Sequence, residues 1–290
     1  MSSKGEKVLV AGASGRLGRH VLEELAARGH ATRALVRDPA RVGAGTAGEV
    51  FVGDARDPRS LRGACEGVGA VVSALGASLA LGLTPRGATF REVDLLANLN
   101  LLAEAGRAGV GKFVYVSLYG AERLRGLAYV DAHEEFVAAL RASGLAHAVV
   151  RPTGFFYVFG EIFKMAARGR VALIGDGSAR TNPVHERDVA RACAEALETG
   201  ETELAVGGPE TYTRRGVAEL AFGALGRPPK ISSLPPRVVL ALTAPLKLFD
   251  RRLYDLLEFG VAASTNDLVA PAYGTRGLAE YFRGLAAPAR

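Results

Sequence analysis

Short, almost wholly apolar runs recur along the chain, separated by helical or turn-like stretches. They are Val8-Leu9-Val10-Ala11, Ala31 to Val36, Val50-Phe51-Val52, Ala70-Val71-Val72-Ser73, Phe113-Val114-Tyr115-Val116-Ser117 and Ala146-His147-Ala148-Val149-Val150. Strands that are apolar on both faces belong to a parallel sheet covered on both sides, and right-handed crossovers then predict a doubly wound α/β fold. Ligands of such a sheet gather at the carboxyl ends of its strands. The residues that leave the strands are therefore the first candidates for a site: Gly12, Arg37, Asp54, Ser73-Ala74-Leu75-Gly76, Ser117 and Pro152-Thr153-Gly154.

The first of these ends sharpens the picture. Gly12-Ala13-Ser14-Gly15-Arg16-Leu17-Gly18 sets three glycines three apart, directly after a strand and before a helix whose Val21, Leu22 and Leu25 share one face. Gly12 suits a tight turn, Gly15 a close approach of backbone to pyrophosphate, and Gly18 close packing of helix on sheet. Phosphates would then meet the positive end of that helix, with Ser14, Arg16 and Leu17 in the same turn. The pattern predicts a Rossmann-type dinucleotide site.

The end of the second strand bears on which dinucleotide. An acidic residue there suits the ribose hydroxyls of NAD, whereas Arg37 comes first here, and a guanidinium suits the 2′-phosphate of NADP. NADP(H) is accordingly expected ahead of NAD(H). The competing reading makes Arg37 a solvated charge and gives Asp38 the acidic role. Asp54, followed by Ala55, is placed to accept from an adenine amino group or to cap a helix. Asp57 before Pro58 is a second cap for a helical stretch expected there.

Composition narrows the class. The 290 residues, 49% of them apolar and 23% charged, suit one large globular α/β unit with an appended lobe. The net charge of +6 is spread as 36 basic residues among 30 acidic ones without a basic block, so no nucleic-acid role is expected. Cys65 and Cys193 stand far apart in a chain read as lacking a signal peptide. Neither a disulfide framework nor a metal site is expected, and the expected compartment is the cytoplasm. No run reaches the ~20 apolar residues of a membrane span.

The only arrangement with the look of chemistry joins Ser117, at the end of the fifth strand, to Tyr129 and His133, which fall at i and i+4 on one face of the next helix. With the glycine turn, Arg37, Gly53-Asp54, Val114-Tyr115-Val116-Ser117 and Arg151-Pro152-Thr153-Gly154, the chain resembles the short-chain dehydrogenase/reductase superfamily, in its atypical NmrA-like branch, over about the first 190 residues. The resemblance implies an oxidoreductase in which the tyrosine moves the substrate proton and the serine holds the carbonyl or hydroxyl. A lysine four residues after the tyrosine then binds the nicotinamide ribose and lowers the tyrosine pKa, while the loop at Pro152-Thr153-Gly154 lies against the carboxamide. Ser117 and Tyr129 match. His133 stands in the lysine's place, and an imidazole, largely neutral at pH 7, does little to acidify a phenol.

Three roles stay open for Tyr129 and His133: a modified acid/base pair, a pair that only binds cofactor and shapes the pocket, or ordinary helix residues. Tyr119 is a second phenol near the same strand end, read as pocket wall. Besides the enzyme, NmrA-like relatives imply a non-catalytic NADP-binding redox sensor or assembly factor as the alternative.

The chain is expected to divide into a dinucleotide-binding core over 1–155 and a substrate lobe over 156–290, with 180–200 returning to the core. Phe155 and Phe156 either line a pocket or fill core, His185 either faces substrate or is structural, and Glu186 and Asp188 read as helix-start charges. Residues 234–261 pattern as one or two amphipathic helices broken near Pro245, packed on the lobe or serving as a lid, a homodimer contact or a membrane-surface contact through 236–260. The order of segments from Phe155-Phe156 through Leu173-Ile174-Gly175-Asp176-Gly177 and Gly207-Gly208-Pro209 is also similar to divinyl chlorophyllide reductases, which implies a large apolar substrate.

Overall fold

The computed structural model describes residues 6–43, 45, 47–77 and 88–287. Strand β1 (Lys7–Ala11) leads through the glycine turn into α1 (Arg16–Ala27), followed by β2 (Ala31–Val36), β3 (Glu49–Val52) and β4 (Ala70–Ser73). A π-helical turn, Arg91–Leu96, opens α2 (Ala97–Arg107); then come β5 (Lys112–Val116), α3 (Ala128–Ala142) and β6 (Ala146–Pro152). The remainder runs α4 (Phe156–Ala167), β7 (Val171–Ile174), β8 (Arg180–Thr181), α5 (Glu186–Glu198), β9 (Glu203–Val206), β10 (Tyr212–Thr213), α6 (Arg214–Ala224) and β11 (Ile231–Leu234). Helices α7 (Pro236–Thr243), α8 (Leu246–Phe249), α9 (Arg251–Thr265) and α10 (Leu278–Ala286) complete it.

Seven strands form one parallel sheet in the order β3-β2-β1-β4-β5-β6-β9. This is the Rossmann-type doubly wound arrangement, and its strand order reverses between β1 and β4, where a crevice opens at the carboxyl ends. Alternate residues explain the two layers. Val8, Val10, Val72, Val114 and Val150 face α1 and α5, while Leu9, Val71, Phe113, Tyr115 and Val149 face α2 and α3. A third apolar cluster lies beyond the sheet, where Phe156, Phe159 and Phe163 of α4 meet Val217 and Phe222 of α6 and Phe282 of α10.

Two local expectations changed. No helix follows Asp57-Pro58; residues 58–67 form consecutive turns before β4. Local bonding explains it: Asp57 Oδ1 accepts from Arg59 N at 3.0 Å and Ser60 Oγ donates to Asp54 O and Asp57 O, while Gly63 and Gly67 adopt φ of +83° and +67°. The apolar stretch 234–261 breaks twice rather than once, at Pro245 and at Asp250, whose carboxylate caps α9 by accepting from Leu253 N.

The segment between α9 and α10 is strapped to the core by two buried polar residues. Asn182 donates to Gly208 O and Ala270 O and accepts from Ala270 N. Asp188, wholly buried, takes the backbone N–H groups of Thr275 and Arg276 and the Arg276 guanidinium. Replacing Asp188 by Ala leaves these donors without their acceptor and is expected to cost about 2–3 kcal/mol in urea denaturation, reduced below a fully buried pair by the half-exposed arginine. An unchanged midpoint would show that the strap carries no stability.

Candidate active site

The glycine turn is built by steric exclusion. Gly12 has φ +76°, and a Cβ there would sit 2.5 Å from Ala74 O, so only glycine lets β1 turn beside the loop that leaves β4. A Cβ on Gly18 would lie 2.1 Å from Gly12 O, so α1 packs directly on the turn. Gly15 closes the turn by donating to Gly12 O at 2.9 Å and caps α1 without a side-chain acceptor, and the first turn of α1 carries no acid. The first N–H groups of a helix lack intrahelical acceptors, so this end is left for an external anion. Leu17 packs into the core beneath it, while Ser14 is half-buried at the crevice. The residues fit a dinucleotide pyrophosphate.

At the far end of the crevice Arg37 is exposed, and among the described residues its guanidinium makes no hydrogen bond or ion pair. Asp38 is committed elsewhere: its Oδ1 accepts from Ala40 N at 3.0 Å and caps the short turn Pro39–Arg41. Asp54 is held by Arg56 through Nε and Nη2, which together with nearby Arg37 keeps its carboxyl below the ordinary aspartate value. Ala55 is buried, its carbonyl accepting from Asn100. Ser73 turns its hydroxyl inward to Asn98 Oδ1 at 2.6 Å, so this side chain is not offered to a ligand, while the backbone of Ala74, Leu75 and Gly76 follows it out of the strand.

The catalytic candidates separate. Tyr129 is half-buried, its ring edge-on to Phe90, His133 and Phe259 at centroid distances of 5.1, 4.7 and 4.6 Å. Its hydroxyl has no hydrogen-bond partner among the described residues. Burial first, then the carboxylate of Asp94 and the phenol of Tyr157, push its pKa well above the usual tyrosine value. His133 turns into the protein. It is 3% exposed, with Nδ1 2.6 Å from the Tyr115 hydroxyl and Nε2 3.2 Å from Asp94 Oδ1, at ion-pair distance but not aligned for a hydrogen bond. The contacts are consistent when Tyr115, itself kept neutral by burial, donates to Nδ1 and the imidazole proton faces Asp94. Asp94, wholly buried, also accepts from Ala77 N. The imidazole therefore braces the loop after β4 through Asp94.

Ser117 is buried, its hydroxyl taking Nη1 of Arg151 at 3.2 Å and facing Glu134, with which Arg151 forms an ion pair. Thr153 donates to Asn182 O and is likewise turned inward, while Pro152 O accepts from Tyr119 N. A Cβ on Gly154 would meet the Phe159 ring at 2.6 Å, so a larger residue there would displace that ring. Phe156 fills core, whereas Phe155 stacks on Tyr157 with centroids 5.7 Å apart.

Tyr157 and Asp94 were not singled out by the sequence. Arg16 lies over the Tyr157 ring at 5.3 Å, tying the glycine turn to the start of α4, and burial beside Glu186 pushes the Tyr157 pKa up to about 12. The signal for Tyr157 was the third aromatic in Phe155-Phe156-Tyr157. Nothing marked Asp94, which sits in a π-turn among ordinary helix residues. His185 serves as N-cap of α5, accepting from Arg187 N.

Replacing His133 by Ala strips the buried Asp94 and Tyr115 of a shared partner and is expected to lower stability by about 2 kcal/mol in thermal or urea unfolding. A stability within a few tenths of the parent would mean that the imidazole does not brace the loop.

Comparison with known proteins agrees with this geometry. Residues 12–200 match the NAD(P)H-binding family. The chain is 29% identical over 319 residues to the chloroplastic divinyl chlorophyllide a 8-vinyl-reductase of Zea mays, covering 95% of this chain and 78% of that protein. It is 24% identical over 291 residues to the photosystem II assembly factor Ycf39 of Synechocystis, covering 94% and 86%. In fold it is similar to an NADPH-dependent quinone oxidoreductase of Escherichia coli complexed with NADPH, with a TM-score of 0.78 and 24% identity over 96% of this chain and 99% of that one. With its glycine turn, open helix end and seven-stranded parallel sheet, the chain belongs to the NAD(P)H-binding family.

Proposed function

We propose that the chain is an NADPH-dependent oxidoreductase working in the reductive direction on an apolar organic substrate. The observation that carries this reading is Tyr129: a phenol at the crevice with its pKa raised by burial and by Asp94 and, among the described residues, with no hydrogen-bond partner and no cation acting to lower it. Such a group is a proton donor at neutral pH and a poor base, which suits reduction and disfavours alcohol oxidation. When bound, a nicotinamide supplies hydride. This chain's own part is to hold the phosphates at Gly12 to Gly18, to meet a 2′-phosphate with Arg37, to wall the pocket with Phe155, Tyr157 and Phe259, and to present the proton of Tyr129. Reductase relatives and the aromatic wall support the apolar substrate class.

The second reading, an NADP-binding sensor or assembly factor without turnover, rests on His133 and Ser117. Both are engaged inside the protein, His133 with Tyr115 and Asp94 and Ser117 with Arg151 and Glu134.

Calorimetric titration is expected to show NADPH binding more tightly than NADH, with Arg37→Ala weakening NADPH roughly tenfold or more and leaving NADH unchanged. Equal affinities in the parent would remove the 2′-phosphate role. Across a panel of quinones, enones and tetrapyrroles, Tyr129→Phe is expected to lower kcat by roughly a hundredfold or more at unaltered NADPH affinity. Because the raised pKa keeps Tyr129 protonated through the neutral range, kcat should stay level across neutral pH and fall only in strong alkali. Undiminished turnover in Tyr129→Phe would assign the proton to another donor, and no turnover by the parent on any of these substrates would favour the sensor.

A further inference from the structure

Helices α7 and α8 expose what a folded chain ordinarily hides. Neither helix buries a single residue fully. Leu248, Phe249 and Leu242 are 85, 83 and 77% exposed, the three most exposed large apolar side chains among the described residues, with Val238 and Leu234 beside them in sequence. Scattered exposed leucines need no explanation, but a cluster of this kind does.

The charge of the chain is concentrated at the same place. Residues 227–252 hold Arg227, Lys230, Arg237, Lys247, Arg251 and Arg252 against a single acid, Asp250, and outside that segment the chain's acids and bases balance to within one charge. Asp250 is used as the cap of α9. The buried Asp255 of α9 pairs with Arg251, which leaves the apolar tips framed by cations from Lys230 to Lys247.

We propose that α7 and α8 form a docking surface for an anionic lipid bilayer, with Leu242, Leu248 and Phe249 entering the interface and Lys230, Arg237 and Lys247 meeting the head groups. Apolar side chains flanked by cations on short amphipathic helices are the chemistry of interfacial binding. A second copy of the chain fits less well, because a symmetric contact would press one cationic patch against another. No helix among the described residues is long and apolar enough to cross a membrane, so the contact is peripheral. The surface also adjoins the crevice: α9, on which α7 and α8 pack, sends Phe259 against the Tyr129 ring. A lipid-dissolved substrate would thus reach the phenol from the bilayer side. That last step rests on the proposed reductase activity, whereas the docking surface does not.

Sedimentation of the full-length protein with phosphatidylcholine vesicles, with and without phosphatidylserine, separates the outcomes. Binding is expected to require phosphatidylserine and to weaken with added salt. The double variants Leu248→Asp/Phe249→Asp and Lys230→Glu/Arg237→Glu should each lower the partition coefficient roughly tenfold or more. All four positions are exposed, so thermal unfolding should be unchanged and NADPH affinity retained. Equal binding to neutral and anionic vesicles, or variants that bind like the parent, would overturn the proposal. So would variants that instead dissociate a dimer in solution, which would give the patch to a second copy. Because the assay reads binding without turnover, a failed reductase reading leaves its result intact.

Discussion

Asp94 imposes the constraint around which the site is organised. A carboxylate with no exposure must be met by donors and charge, since leaving it unpaired inside a protein costs several kcal/mol. Here it takes Ala77 N from the loop after β4 and faces His133 from α3, and His133 in turn meets Tyr115 from β5. One buried charge thereby fixes a strand, a helix and a loop in register around the crevice. The same arrangement consumes the imidazole that stands where the resembling superfamily keeps its lysine, so among the described residues no cation acts to acidify Tyr129.

That loss changes what chemistry the crevice suits. A phenol made acidic by a lysine serves both directions of hydride chemistry, whereas one made less acidic by burial is a donor only. The aromatic surroundings act in the same sense, because Phe90 and Phe259 exclude water from the Tyr129 ring without supplying charge. The crevice floor, by contrast, is suited to a polyanion: Gly12 and Gly18 leave no room for side chains, Gly15 leaves little, and α1 begins without an acid.

The sheet was legible because its strands are short, fully apolar and separated by recognisable crossovers, and the glycine spacing pointed to the NAD(P)H-binding family that residues 12–200 match. Boundaries agreed to within one or two residues for all six strands first identified. What sequence missed has physical causes. The turns after Pro58 come from hydroxyl and carboxylate bonds of Ser60, Asp54 and Asp57 that compete with helix, and composition alone does not reveal which partner wins. The inward turn of His133 depends on Asp94, 39 positions earlier and unremarkable in its local pattern. Tyr157 gains its meaning from the Arg16 side chain across the crevice, a contact between distant segments. Two-residue strands such as β8 and β10 carry too little periodicity to be read at all.

The central claim is that Tyr129 remains a neutral acid beside bound coenzyme. Tyrosine labelled with carbon-13 at the ring carbon bearing the hydroxyl, assigned by comparison with Tyr129→Phe, reports ionisation of that phenol directly in the NADPH complex. The account predicts that the Tyr129 signal keeps the shift of a neutral phenol up to about pH 10, the ordinary value for tyrosine. A titration of that signal in the neutral range would mean that some group acidifies the phenol after all, and would contradict the account.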